Sequence, residues 1–167
     1  MDIKRADITH AEGISKVCSQ AYRATYKDTH SQEYIERTIA EFYHLERIRE
    51  EITVESEGWD GWFVAIEAGE VVGAIGGGMI GKNISEVFVL YLDPERRREG
   101  IGTLLLNVLT EVQTEKGATQ QWVSVAKGNQ KGIPFYEAKG FVFAEEQQSF
   151  GNSMDEKYVS LRYYREI

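Results

Sequence analysis

The sequence predicts an α/β fold, in finer terms α+β: helices packed on one mixed sheet, with elements in the order β-α-α-β-β-β-α-β-α-β-β. Three observations carry that prediction. Short runs rich in β-branched and aromatic residues alternate with longer stretches whose apolar residues recur every three or four positions. The run ISEVFVLYL, residues 84–92, is almost continuously apolar, as expected of a central strand covered on both faces. A turn containing two glycines leads from its end straight into an amphipathic helix.

Taken in order, residues 3–6 (IKRA) read as a first strand. THAE, residues 9–12, has the form of a capping box, with Thr9 accepting from the Glu12 amide while the glutamate reaches back. Ile14, Val17, Cys18 and Ala21 then follow at helical spacing. A second helix is expected from about residue 32 to residue 55, on a stripe that includes Tyr34, Ile35, Ile39, Phe42, Leu45, Ile48 and Ile52. GWDG, residues 58–61, breaks it. Residues 62–80 read as a hairpin turning at Ala68-Gly69, before the central strand. The helix over residues 101–116 places Ile101, Leu104, Leu105, Val108, Leu109 and Val112 on one side, with Gly117 as its C-terminal cap. QWVSVA (121–126) is a strand, and GIPFYEAKGF holds a short helix closed by Gly140. Residues 141–148 and 157–164 are two strands around the turn FGNSMDE.

Composition narrows the function classes. The 167 residues show no linker or repeat, so a single domain over 1–167 is expected. The one cysteine, Cys18, excludes an intramolecular disulfide and lies on the apolar stripe of the first helix; with no signal-like or membrane-spanning run, it points to the cytoplasm. Net charge is −8, with one compact basic cluster at Arg96, Arg97 and Arg98, which argues against nucleic acid. An acidic surface suits a cationic substrate. His10, His30 and His44 have no ligand spacing, so no metal site is expected.

The chemistry is expected in RRREGIGT, residues 96–103. Its glycines let the loop turn tightly, and the first amides of the helix that follows lack intrahelical acceptors while the helix dipole adds positive character. A phosphate or pyrophosphate suits such a site. No Gly-Lys-Ser/Thr follows, and the third glycine of the dinucleotide fingerprint is missing. From the loop alone, a helix start with exposed arginines is an equal alternative.

The run EVFVLYLDPERRREGIGTLLLNVL, followed by VSVAKGNQKGIPFYEAKGF, closely resembles the GCN5-related N-acetyltransferase (GNAT) superfamily. The first run matches that family's strand, Q/R-x-x-G-x-G/A loop and helix; the second matches its strand, asparagine, and helix with tyrosine before Gly-Phe. The resemblance implies a mixed, mostly antiparallel sheet of about seven strands with helices on both faces. It implies acetyl-CoA as co-substrate and an amine as acceptor. The backbone of Leu90, Tyr91 and Leu92 would pair with the pantetheine and hold the acetyl carbonyl. Amides of Arg97, Arg98, Glu99, Gly100, Ile101, Gly102 and Thr103 would wrap the pyrophosphate. Asn129 would bond the pantetheine or its neighbouring loop, and Tyr136 would protonate the leaving thiolate. Glu86, which interrupts the apolar strand, stands where histone-acetylating members carry their base.

Each role has a plainer counterpart. Tyr136 reads equally as a core tyrosine, Asn129 as a helix cap, and Glu86 as a strand-edge residue or one half of an ion pair. Glu99 departs from the family pattern, since an acid beside a pyrophosphate is unhelpful unless it points away. Pro134 fits a first helical turn beginning near Lys131. GGGM, residues 76–79, reads as a bulge or a close backbone approach, and Tyr22, Tyr26, Tyr34, Trp59 and Trp62 as core or acceptor-pocket aromatics. The acceptor stays open between a small cationic amine, which the acidic balance favours, and a protein or peptide amine. A non-catalytic acyl-CoA sensor on the same fold and a nucleotide-phosphate binder are the competing classes. The aromatic last strand could also serve a homodimer.

Overall fold

The structure, a computed structural model, describes residues 1–96 and 98–167. Its strands are β1 (Asp2–Arg5), β2 (Trp62–Glu67), β3 (Glu70–Gly81), β4 (Ile84–Leu92), β5 (Gln120–Ala126), β6 (Val142–Gln148) and β7 (Val159–Glu166). They form one sheet in the order β1-β2-β3-β4-β5-β7-β6. Neighbours pair antiparallel throughout except β4 and β5, which are parallel. The helices are α1 (Ala11–Tyr26), α2 (Gln32–Phe42), α3 (Leu45–Thr53), α4 (Ile101–Glu115) and α5 (Gly132–Ala138). The expected class and strand count hold, with one helix more than expected.

That extra helix comes from a break in the apolar stripe of residues 32–55. Tyr43 ends α2, and His44 adopts an extended backbone (φ −76°, ψ 152°) with its ring nitrogen accepting from the Arg47 amide at 3.3 Å. The Ser15 hydroxyl donates to the freed Tyr43 carbonyl at 2.6 Å. A histidine cap lies outside the Ser/Thr/Asp/Asn set that marks helix starts in sequence. The first helix likewise starts from a different box. Asp7, not Thr9, is the capping residue; its carboxylate accepts from the Thr9 amide at 2.9 Å while the His10 ring accepts from the Asp7 amide at 3.0 Å. A short 310 turn, Ile8–His10, then leads into α1.

The sheet is covered on both faces. On one, Ile14, Val17 and Cys18 of α1 and Ile48 of α3 pack on Val64, Ala74 and Val89. On the other, Ile101, Leu105, Leu106 and Leu109 of α4 pack on Ile75, Val87, Val123 and Val125, with Tyr136 of α5 beside them. Leu104, expected inward, is 44% exposed, and Leu106 is buried in its stead, a shift of the buried stripe around α4. Gly117 (φ +95°) closes α4 as expected, with the Ala118 amide reaching back to the Gln113 carbonyl at 3.0 Å.

The triglycine of β3 serves close backbone approach. A Cβ on Gly76 would sit 2.6 Å from the Trp59 ring, and one on Gly78 2.0 Å from the Gly58 carbonyl oxygen. The 56–60 segment thus lies directly on the strand, and the Asp60 amide donates to the Gly77 carbonyl at 2.7 Å. Asp60 is fully buried, ion-paired to Lys116 at 2.7 Å and bonded by the Gln113 amide at 3.1 Å. Trp59 and Trp62 belong to this region, both donating to Glu51 of α3.

Candidate active site: a cleft where two parallel strands part

The parallel pairing of β4 with β5 runs from Ile84↔Gln120 to Val87↔Val123 and stops, although β4 continues to Leu92 and β5 to Ala126. The divergence begins at a bulge. Gly77 pairs with Val87 and Gly76 with Val89, so Phe88 is an extra residue in β4. After it the strand's facing changes: Val89 and Tyr91 lie on the α1 side, Leu90 and Leu92 on the α4 side. One backbone edge of this stretch is paired with β3, and the other opens onto a cleft.

The cleft is half open and holds about 200 Å3. Leu90, Tyr91 and Leu92 form one wall, Val123, Ser124 and Val125 the other, and Asn129 and Tyr136 lie at its α5 end. Gly102 also lines it, which brings the N-terminus of α4 to the same opening. Of the expected site residues, these six form one constellation.

The glycine loop is shaped to present amides there. Gly100 has a left-handed backbone (φ +80°), as does Arg98 (φ +65°). The Leu104 amide makes a helical bond to Gly100 at 3.1 Å, so the Ile101, Gly102 and Thr103 amides fall in the first turn, where intrahelical acceptors are lacking. A Cβ on Gly102 would lie 3.2 Å from the Phe135 ring, which is how closely α4 seats on α5. Glu99 does not face this ring of amides unpaired: it holds Arg96 in a bidentate pair, 2.8 Å on each side, and Arg96 also reaches Glu67. The pairing holds the Glu99 carboxyl below the usual range. Arg96 is committed to two carboxylates, Arg98 is exposed, and Arg97 lies outside the described residues.

Asn129, two residues before the Lys131 cap of α5, ties down the helix start, its side-chain oxygen accepting from the Lys131 amide at 3.1 Å and the Gly132 amide at 2.9 Å, while the residue still borders the cleft. Tyr136 is buried, its ring edge-on to Phe135 at 5.1 Å and to Phe141 at 5.3 Å. Burial pushes its phenol up, with Tyr26 adding to the effect, so the hydroxyl is a proton donor at every working pH.

Glu86 stands apart. It lies in the paired part of β4, opposite Trp122, and does not line the cleft. Its carboxylate is 2.8 Å from the Arg162 guanidinium, both side chains largely buried. Burial raises its carboxyl and Arg162 partly offsets the rise. The same guanidinium donates to Ser124, on the cleft wall, at 2.8 Å.

Sequence reasoning missed Arg162 and Ser124. It offered Tyr22 and Tyr26 of the first helix as core or acceptor-pocket aromatics, and Tyr26 does border the cleft, together with Ala21, Ala24 and Thr25 of α1. Tyr22 and Tyr26 join Tyr34, Tyr43, Tyr91, His30 and Tyr158 in an aromatic cluster that ties the α1–α2 turn to the β6–β7 loop. Among the described residues no cluster of His, Cys, Asp and Glu has a metal-binding arrangement, and no helix is long and apolar enough to cross a membrane.

The sequence profile of the acetyltransferase (GNAT) family matches residues 19–141, a span that takes in the second half of α1, the parting strands and the glycine loop. The chain belongs to the GNAT acetyltransferase family. It is therefore an acyltransferase, and its relatives agree. It is 30% identical over 161 residues to a spermidine N(1)-acetyltransferase of Thermoplasma acidophilum, covering 96% of this chain and 99% of that one. In fold it is similar to the PaiA N-acetyltransferase of Thermoplasma acidophilum solved with coenzyme A, with a TM-score of 0.85 at 24% identity, over 99% and 98% of the two chains. It is also similar to the ribosomal-protein-S18-alanine N-acetyltransferase of Escherichia coli, with a TM-score of 0.68 at 18% identity, over 99% and 93%.

Proposed function

We propose that this GNAT enzyme transfers the acetyl group of acetyl-CoA to a primary amine by direct attack in a ternary complex, and that its acceptor is a small cationic amine of the polyamine class. The observation that carries the first part is the parting of β4 from β5 at Val87↔Val123, with Tyr136 at the inner end and the first turn of α4 at the opening. A pantetheine fits as a short extra strand along the free edge of Leu90, Tyr91 and Leu92, and the amides from Gly100 to Thr103 suit its pyrophosphate. The coenzyme A bound to the PaiA structure supports this reading.

The chemistry then assigns the residues. The amine nitrogen attacks the thioester carbonyl, and amides of the free β4 edge stabilise the oxyanion. As the intermediate collapses and the C–S bond breaks, the Tyr136 hydroxyl gives its proton to the departing sulfur. The proton that the ammonium sheds before attack passes through water to Glu86, whose carboxyl burial raises above its ordinary value. The second proton lost from nitrogen as the amide forms restores the Tyr136 hydroxyl. Asn129 holds the start of α5, and hence Tyr136, from the border of the cleft.

The polyamine class is supported by the spermidine acetyltransferase relative, by the net charge of −8, and by the tyrosine-rich end of the cleft, which can attract a cation through ring faces. The lone buried Cys18 suits a cytoplasmic setting. The test is thiol release from acetyl-CoA with spermidine, putrescine, an amino acid and an N-terminal peptide as acceptors. Turnover with spermidine or putrescine above the peptide is expected. Turnover with the peptide alone overturns the acceptor class, and binding of acetyl-CoA without turnover with any amine overturns catalysis in favour of a sensor.

A further inference from the structure

We propose that Arg162 is the positioning residue for proton acceptance at the amine end of the cleft: one guanidinium nitrogen ties Glu86 to Ser124 and keeps the Glu86 carboxylate ionised and oriented. The inference rests on the reading of Glu86 as proton acceptor. Three strands meet at this point. Arg162 comes from β7, Glu86 from β4, and Ser124 from β5, which lies between them. Arg162 Nη1 lies 2.8 Å from Glu86 Oε1 and 2.8 Å from Ser124 Oγ, and the Arg162 and Glu86 side chains are only 13% and 15% exposed. The guanidinium sits over the Trp122 ring at 5.0 Å, and Trp122 in turn stacks on Tyr164 at 5.0 Å.

This geometry answers a difficulty in the reaction. A carboxylate withdrawn from water favours its neutral form, and a neutral carboxyl cannot take the ammonium proton. A fixed cation beside it restores the ionised form before the amine arrives. When the ammonium nitrogen loses its proton to form the attacking amine, Glu86 becomes a neutral acid, Arg162 keeps its charge, and the proton passes to solvent after the product leaves. The anchor to Ser124, which lines the cleft, fixes where the pair points. Arginine suits the task because its guanidinium keeps its charge and stacks on an aromatic face.

Other charges near the pair are accounted for. Glu86 faces Trp122 on β5 and Gly78 on β3, neither of which is ionisable. On β6, Glu145 is the cross-strand neighbour of Arg162 and is exposed, Gln147 donates to Ser124 at 3.4 Å, and Glu146 is paired with Lys127 at 3.1 Å. Among the described residues Arg162 is therefore the charged side chain in contact with Glu86.

The test uses two readouts on the full chain. One is titration of the Glu86 carboxyl by 13C NMR, which needs no acceptor. The other is the pH profile of kcat/KM for spermidine acetylation. In Arg162→Met both the carboxyl titration and the acid limb of the rate should move to higher pH, by about one to three pH units for loss of an adjacent opposite charge. In Arg162→Lys, which keeps the charge, both should move less. Ser124→Ala retains the ion pair and keeps the proposal testable should Arg162→Met not fold; it should leave the titration near its wild-type position while lowering kcat. A carboxyl titration unmoved in Arg162→Met overturns the inference, and so, should Arg162→Met not fold, does an unchanged kcat in Ser124→Ala. A titration that moves while the acid limb stays fixed overturns the reading of Glu86 as proton acceptor.

Discussion

Replacing Tyr136 by phenylalanine removes one hydroxyl from the inner end of the cleft and leaves the rest of the site in place. The ring keeps its edge contacts with Phe135 at 5.1 Å and Phe141 at 5.3 Å, and no hydrogen bond from the Tyr136 hydroxyl to a described residue is broken. The cost to folding is therefore small, within about 1 kcal/mol, which for a chain of this size moves Tm by about 2–4 °C. The effect on chemistry is larger. General acid catalysis contributes about 10²–10⁴-fold, and a phenol pushed up by burial is a weak donor that acts only as the C–S bond breaks. The lower end of that range applies, so kcat should fall about 100-fold, or about 2.7 kcal/mol. KM for acetyl-CoA should change little, because the hydroxyl acts in the transition state. Thiol release under saturating acetyl-CoA measures kcat, and a thermal melt with and without acetyl-CoA checks that folding and binding survive. A fall in kcat of less than about threefold, in a variant that still binds acetyl-CoA, refutes the assignment of Tyr136 as the acid.

Three further perturbations separate the parts of the account. Gly102→Ala places a methyl 3.2 Å from the Phe135 ring, so the ring or the first turn of α4 must give by a few tenths of an ångström at the opening of the cleft; KM for acetyl-CoA should rise about tenfold with kcat less affected, as a titration of initial rates will show. Glu86→Gln removes the group whose ionisation sets the acid limb: because burial raises the folded-state carboxyl, wild-type kcat/KM should fall with decreasing pH at a point above the ordinary carboxylate range, and that limb should be absent in the variant. Lys116→Met leaves the fully buried Asp60 without its cation and should destabilise the fold by about 3–5 kcal/mol in chemical denaturation, with no direct effect on the cleft.

The parts of this molecule legible in the sequence are those specified by neighbours along the chain. Residues 84–92 read as a covered strand because nearly every position is apolar, and Gly100 and Gly102 announce a turn into a helix because their spacing is local. Tyr136 and Asn129 were found through a motif that spans one strand and one helix. The pairing of Glu86 with Arg162 has no such signature. It arises because β7 inserts between β5 and β6, which sets Arg162 beside Ser124 and within reach of a carboxylate on β4. The bulge at Phe88 that opens the cleft is equally invisible, since it is a matter of register between β3 and β4. The helix break at His44 and the capping box at Asp7 were missed for a local reason: at His44 a ring nitrogen caps the helix, and at Asp7 an ordinary carboxylate cap is completed by the His10 ring, where a Glu or Gln is the usual partner.

Hydrogen exchange at backbone amides, with and without acetyl-CoA, tests the central claim most directly, because that claim places the ligand on the free edge of β4 and the first turn of α4. Acetyl-CoA should slow exchange at Leu90, Tyr91 and Leu92 and from Gly100 to Thr103, and leave β1 and β2 unchanged. Binding that protects none of these amides, or protects a different surface, contradicts it.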